Sequence, residues 1–189
     1  MTFLFHEKLF RGAVAMTRLK DAKVGICGAG ALGSHLALGL ARTGVGHLRV
    51  IDRDRVEERN LSTQTWSRGD VGGPKAKLLA HTIFRAVGTQ VDGRMKELTR
   101  SNGRALLRGL DLVIDVFDNS EARAAVQLAA AELRIPCLHA GLASDYAECV
   151  CDPHYTVPSH AHDDVSDSPP SLYLASVAPL SAPARAARF

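Results

Sequence analysis

The sequence predicts an α/β domain built on a mainly parallel sheet with helices on both faces, and three observations carry that prediction. Short apolar runs, among them Val24–Cys27, Leu112–Phe117 and Pro136–Ala140, alternate along the chain with stretches of helical periodicity. The runs are nearly continuous instead of alternating apolar with polar, the pattern of strands covered on both sides. A glycine cluster, Gly28-Ala29-Gly30-Ala31-Leu32-Gly33, follows the first run and precedes an Ala/Leu-rich stretch, as strand, tight turn and helix would.

Residues 5–20 place Leu9, Ala13, Met16 and Leu19 at helical spacing, with Glu7, Lys8, Arg11 and Arg18 elsewhere around the wheel, so an amphipathic helix comes first. The first strand, Val24–Cys27, feeds the glycine turn. The helix after it runs to Arg42, with Gly44 and Gly46 suited to ending it. His47–Asp52 completes a strand–helix–strand unit. The polar stretch from Arg53 to Gly73 has no clear periodicity, and connections above about 12–15 residues in compact domains are usually functional. Pro74 suits the first turn of a helix reaching about Val87. Thr89–Met95 then reads as a third strand, Asn102–Arg108 as a short helix and Leu112–Phe117 as a fourth strand. Ser120–Arg134 is an Ala-rich helix, and Pro136–Ala140 the fifth strand.

A length of 189 residues leaves room for one domain and little else. Hydrophobic residues at 46% and charged residues at 23% allow a real core and exclude a disordered or collagenous chain. The net charge of +3 is too small to predict nucleic-acid or membrane binding from charge. Four cysteines, Cys27, Cys137, Cys149 and Cys151, are too sparse for a disulfide framework, and the chain starts with no signal-like segment. A cytoplasmic protein with reduced thiols is expected. No apolar run approaches the ~20 residues that span a bilayer. All 16 glycines lie at or before Gly141, whereas six of the eight prolines lie at or after Pro153. Residues 1–152 are therefore expected to form the domain and 153–189 an irregular tail, the mark of a truncated or frame-shifted C-terminal part.

Gly28, Gly30 and Gly33 fit G-x-G-x-x-G at a strand end, where the first permits the turn, the second lets a phosphate approach and the third lets the helix pack closely. The helix amino terminus offers unpaired N–H donors to an anion. Asp52, about twenty residues on, is placed for ribose hydroxyls. These features do not separate NAD from ATP. A nicotinamide-dependent oxidoreductase of this kind needs a substrate-binding region that the remaining length does not supply, and the segment after Asp52 carries a polar constellation of its own.

That constellation is specific when read with its neighbours. Gly28–Ser34, then Ile51-Asp52-Arg53-Asp54-Arg55-Val56-Glu57-Glu58-Arg59-Asn60-Leu61-Ser62-Thr63-Gln64, then Val71-Gly72-Gly73-Pro74-Lys75-Ala76, then Asp111–Asn119 resemble, in order, the ThiF/MoeB family of ubiquitin-activating-type adenylating enzymes. The resemblance covers about residues 20–150. It implies a Rossmann-like doubly wound fold that binds ATP and Mg²⁺, and attack on the α-phosphate by a carboxylate, usually the C-terminal glycine of a ubiquitin-like or sulfur-carrier protein. An acyl-adenylate and pyrophosphate result.

The resemblance also assigns residues. Asp118 matches the Mg²⁺-binding aspartate, Lys75 the lysine on the triphosphate, Asn60 the asparagine near the phosphates and Asp52 the ribose aspartate. Asp54 and Gln64 either assist the site or only brace their loop. Many members are homodimers in which an arginine from the partner's N-terminal segment enters the ATP site, and Arg11 is the candidate here. Each has a plainer reading: Lys75 as a solvated lysine, Asp118-Asn119 as a helix cap, Arg11 as an exposed arginine. Thr63 stands where the family commonly has an arginine, and Arg59 or Arg55 is available to replace it. Asp115 is assigned no role.

Cys27 and Cys137 read as core residues. Cys149 and Cys151 form C-x-C without the second pair of a four-thiolate site, and His154, His160 and His162 are too scattered to supply it, so structural zinc is not expected. Either of the two remains open as an acceptor thiol. Two rival readings stand beside the adenylyltransferase: a catalytically degenerate ATP-binding partner, suggested by Thr63 and the short C-terminal part, and a tRNA-modifying dehydratase of the same family.

Overall fold

The computed structural model describes residues 3–143 and 146–151. In chain order it contains α1 (Phe5–Asp21), β1 (Lys23–Cys27), α2 (Ala31–Thr43), β2 (His47–Ile51), α3 (Lys75–Val87), β3 (Val91–Arg94), α4 (Gly103–Leu107), β4 (Leu112–Asp115), α5 (Ser120–Leu133), β5 (Cys137–Ala143) and β6 (Tyr146–Val150). Short 3₁₀ turns at Glu58–Ser62 and Arg68–Asp70 lie between β2 and α3. The strands form one sheet in the order β3-β2-β1-β4-β5-β6. All pairs are parallel except β5 with β6. From β1 the chain runs to one edge and then returns to build outward on the other side, so the connections leaving β1 and β4 diverge. A crevice opens at the carboxyl ends of those two strands.

The side chains of each strand divide between two cores. Val24, Ile26, Leu48, Val50 and Ile114 meet Ala37, Ala41, Leu79 and Ile83 of α2 and α3 on one face. Cys27, Ile51 and Val113 meet Leu107, Ala125, Val126 and Ala129 of α4 and α5 on the other. Ile26, Val50, Leu79 and Ile83 are completely buried, each stabilising the fold by about 1.5–3 kcal/mol. This burial is what holds the strand ends, and the loops on them, in fixed relation.

The first helix departs from its expected packing. Only Met16 is buried, with Leu19 against the same core, while Leu9 is 69% exposed and Ala13 is exposed as well. Gly12, at φ 77° and ψ 167°, breaks the helix in two, so the stripe that periodicity draws along it is not continuous. β4 is two residues shorter than the apolar run suggests, because the Phe117 N–H turns back to donate to Asp115 Oδ1 at 3.2 Å. β6 has no counterpart in the sequence reading. Among the described residues it is an edge strand, and it carries Ala147 and Cys149 exposed and Glu148 and Val150 half-buried, with no continuous apolar run to mark it. The segment 153–189 lies outside the described residues.

Candidate functional site

The glycine turn joins β1 to α2 at the mouth of the crevice. The Gly28 N–H donates to the Ile51 carbonyl at 2.9 Å, and its φ of +111° is one that side-chain-bearing residues rarely adopt. A Cβ on Gly33 would lie 2.0 Å from the Gly28 carbonyl oxygen, so only glycine lets α2 start this close to the turn. Among the described residues, a Cβ on Gly30 would meet nothing within 4 Å. The surface over Gly30 is therefore open, and Gly30 N-caps α2 without any side-chain cap. The first-turn amides of such a helix have no intrahelical acceptor and favour an anion. In that same turn the Ser34 hydroxyl is buried with no partner among the described residues.

Asp52 follows β2 and is 5% exposed. Its Oδ2 accepts from the Ala29 N–H at 2.6 Å and its Oδ1 from the Asp54 N–H at 2.7 Å, so one carboxylate splints the glycine turn to the next loop. Burial pushes its pKa above the ordinary carboxylate value. The two N–H groups and the Lys75 charge oppose that rise, while Asp54 adds to it.

The long polar stretch is an ordered loop. Arg55 bridges to Pro74 at its base, Val56 exchanges backbone hydrogen bonds with Gly72 and Gly73, and Val56 and Trp66 are buried. Pro74 lacks an N–H and caps α3 in an extended conformation, which makes Lys75 the first helical residue. Lys75 donates from its N–H to the Asp54 carbonyl at 2.9 Å, and its Nζ lies 3.4 Å from Asp54 Oδ2. With a side chain only 9% exposed, Lys75 is not the solvated lysine of its plainer reading. Its partner Asp54 has a side chain 55% exposed, so the pair brings a held ammonium to the rim of the crevice.

Other expected residues are engaged locally. Asn60 Oδ1 accepts from the Glu57 N–H at 2.9 Å in a capping box, which leaves its Nδ2 without a partner among the described residues. Gln64 Oε1 accepts from Trp66 Nε1 at 2.7 Å, so this side chain braces its loop. Thr63 is buried. Arg59 pairs with Glu57 at 2.6 Å and Arg55 donates to the Gly72 carbonyl at 2.6 Å; neither turns to the glycine loop. Arg11 pairs with Glu7 on its own helix at 2.5 Å, and none of its hydrogen bonds or ion pairs reaches the crevice.

Asp118 stands on the loop between β4 and α5, on the other side of the crevice from Asp52. It is exposed, and among the described residues its one hydrogen bond is accepted from Asn119 Nδ2 at 3.5 Å. Asn119 is the cap: its Oδ1 accepts from the Ala122 N–H at 2.8 Å. The capping reading of Asp118-Asn119 therefore belongs to Asn119 and leaves the Asp118 carboxylate outside the cap. Among the described residues no group of three His, Cys, Asp or Glu is gathered as for an all-protein metal cage. A lone exposed carboxylate suits Mg²⁺, which is commonly held by one or two carboxylates together with substrate phosphates.

The cysteines divide as their burial dictates. Burial pushes the Cys27 thiol well up, with Asp115 and Cys137 adding to it; burial also pushes Cys137 up to about 12, helped by Asp115 and Cys151 against Arg123. Both stay protonated near neutral pH and are poor nucleophiles. Cys149 and Cys151 are exposed. In the native protein, a thiol reagent at pH 7.5 will modify Cys149 and Cys151 promptly and Cys27 only after unfolding, as read by peptide mass mapping. Prompt labelling of Cys27 would contradict its position between the sheet and α5.

A Rossmann-like α/β domain with a glycine loop, a splinting aspartate and an opposed acidic loop at the switch point of its sheet is the class these features define. Residues 6–170 match the ThiF family, and the chain belongs to that family. The match runs past Asp152. The chain is 36% identical over 140 residues to the sulfur carrier protein ThiS adenylyltransferase of Bacillus subtilis, covering 71% of this chain and 41% of that protein. It is 39% identical over 128 residues to the sulfur carrier protein adenylyltransferase of Thermus thermophilus, covering 66% and 47%. It thus spans less than half the length of these two relatives. Among solved structures, the E. coli tRNA N6-threonylcarbamoyladenosine dehydratase TcdA in complex with ATP superposes with a TM-score of 0.70 at 28% identity, covering 75% of this chain and 60% of that one.

One further group in this region is not assigned by the sequence. Asp115 ends β4 fully buried, in contact with Arg123 of α5 and His139 of β5. Two signals were present: a carboxylate closing an apolar strand, and an arginine inside an Ala-rich helix. Neither shows from sequence that the two residues meet.

Proposed function

We propose that this chain is an ATP-dependent adenylyltransferase that activates the C-terminal carboxylate of a ubiquitin-like or sulfur-carrier protein, releasing pyrophosphate. The observation that carries the reading is the gathering of the open Gly30 turn, Asp52, Lys75 and Asp118 at one end of the sheet in a ThiF-family chain. Asp52 already holds the glycine turn through the Ala29 N–H, and an ionised Asp52 also accepts from the ribose hydroxyls. The α2 amides and Lys75 receive the phosphates. Mg²⁺ held through Asp118 would supply charge neutralisation at the phosphates, which the carboxylate nucleophile needs because it too is an anion. The protein's share is positioning: it holds two anions in line in a site whose donors are set before they arrive.

The same reading includes a homodimer and a cytoplasmic location. Phe5, Leu9, Phe10 and Val14 expose apolar surface along α1, beside Arg11, which supports a partner copy on that helix with Arg11 entering the partner's site. The four free cysteines suit a reducing compartment. A tRNA substrate is the second reading, favoured by the likeness to TcdA. The deciding experiment is ATP–pyrophosphate exchange with purified protein, alone, with glycine-ended carrier proteins and with threonylcarbamoylated tRNA. Exchange stimulated by a carrier is expected. Exchange stimulated only by tRNA would select the second reading, and ATP binding without exchange in any arm would leave a nucleotide-binding partner.

A further inference from the structure

We propose that the buried Arg123–Asp115–His139 network is the positioning device for Asp118, an inference that rests on the adenylyltransferase reading. Asp118 lies on the short loop Val116–Asn119, and among the described residues its side chain is hydrogen-bonded to Asn119 alone. Its place is therefore set by what holds the ends of the loop. At the strand end, the Val116 N–H donates to the Cys27 carbonyl at 3.0 Å and the Phe117 N–H to Asp115 Oδ1 at 3.2 Å. At the helix end, Asn119 caps α5, and the Arg123 N–H donates to the Asn119 carbonyl at 3.2 Å.

A charged crosslink ties these two ends together. Arg123 Nε donates to Asp115 Oδ2 at 3.3 Å, with the Asp115 side chain completely buried and that of Arg123 10% exposed. The crosslink is braced from β5. His139 Nδ1 lies 2.8 Å from the same Oδ2, and an Arg123 terminal nitrogen donates to the Ala140 carbonyl at 2.9 Å. The other terminal nitrogen sits 3.9 Å from Glu148 on β6. Val116 forms a wall of the glycine turn as well, since its carbonyl lies 3.0 Å from where a Cβ of Gly28 would stand. The network thus fixes the height of Asp118 relative to the phosphate-facing turn.

The fork of arginine is essential to this role. Its planar guanidinium reaches Asp115 and Ala140 at once, while a lysine ammonium on a flexible stem cannot keep both directions. A buried charge left without its partner is strongly unfavourable, so fold and position must be separated in the test. Arg123→Lys keeps the charge, and Arg123→Met removes it. Ile83→Val, on the opposite face of the sheet, serves as a control for general loss of stability.

The readout is Mn²⁺ uptake by the protein–ATP complex, followed by electron paramagnetic resonance, beside thermal melting and the Mg²⁺ dependence of pyrophosphate exchange. Arg123→Lys is expected to raise the half-saturating Mn²⁺ about tenfold, and Arg123→Met further where it folds. The ATP affinity measured without metal should stay within twofold, and Ile83→Val should leave the metal requirement unchanged. Wild type that takes up Mn²⁺ with ATP, alongside Arg123→Lys with the same half-saturation, overturns the positioning role alone. Equal shifts in Arg123→Lys and Ile83→Val overturn it too. If wild type fails to take up Mn²⁺ with ATP, the adenylyltransferase reading falls and this inference with it.

Discussion

Replacing Asp118 with Ala lowers ATP–pyrophosphate exchange about 10²- to 10³-fold, the usual effect of removing one preorganised group that stabilises charge in a transition state. Stability should hardly change. The side chain is exposed and, among the described residues, its one hydrogen bond comes from Asn119 at 3.5 Å, so it belongs with surface substitutions that leave the fold nearly as it was. The helix cap survives because Asn119 supplies it. Exchange assays and thermal melts on the same preparation check both halves. A variant that keeps wild-type exchange would remove Asp118 from the chemistry and return it to the plain surface. A variant that melts much earlier would show that the carboxylate serves the fold. Asp118→Asn is the sharper companion, since it keeps size and polarity while removing the charge that a hard divalent cation requires.

What was legible in the sequence, and what was not, follows from the range of the interactions involved. β1, β2 and β4 show as apolar runs because burial on two faces selects composition directly, as at Ile26, Val50 and Ile114. β6 escapes because it is held by backbone pairing to β5, while Ala147 and Cys149 are exposed and no continuous apolar run marks it. The glycine turn is readable since φ at Gly28 and the closeness of Gly33 to the turn restrict residue type. Gln64 and Asn60 look alike in sequence as polar loop residues, yet the amide oxygen of one accepts from Trp66 Nε1 and that of the other from the Glu57 N–H in a capping box. Asp115 and Arg123 were out of reach for a different reason. Their meeting depends on how far α5 slides along β4, which no local pattern records.

The glycine turn offers the strongest test of which contacts are made for the fold and which for a ligand. Gly33→Ala puts a methyl carbon 2.0 Å from the Gly28 carbonyl oxygen. Backbone cannot yield as a side-chain end can, so an overpacking cost at the upper end of about 1–3 kcal/mol is expected. It exceeds the roughly 1 kcal/mol that alanine gains over glycine inside a helix. The melting temperature should fall by about 2–4 °C for each kcal/mol of net loss in a domain of this size, and nucleotide binding should fall with it because the turn is displaced. Gly30→Ala is the opposite case. Its methyl meets nothing within 4 Å among the described residues, and φ −78° with ψ −151° is extended backbone open to alanine. Losing glycine as N-cap costs up to about 1 kcal/mol, which the lower unfolded-chain entropy of alanine offsets by about 0.4–1 kcal/mol. Stability should therefore stay close to wild type while Mg–ATP affinity drops at least tenfold, because the methyl occupies the surface on which a phosphate would lie. Calorimetric titration and thermal melting of the two variants separate the effects. Should Gly30→Ala bind Mg–ATP as wild type does, the phosphates do not rest on this turn, and the nucleotide must be sought elsewhere in the crevice.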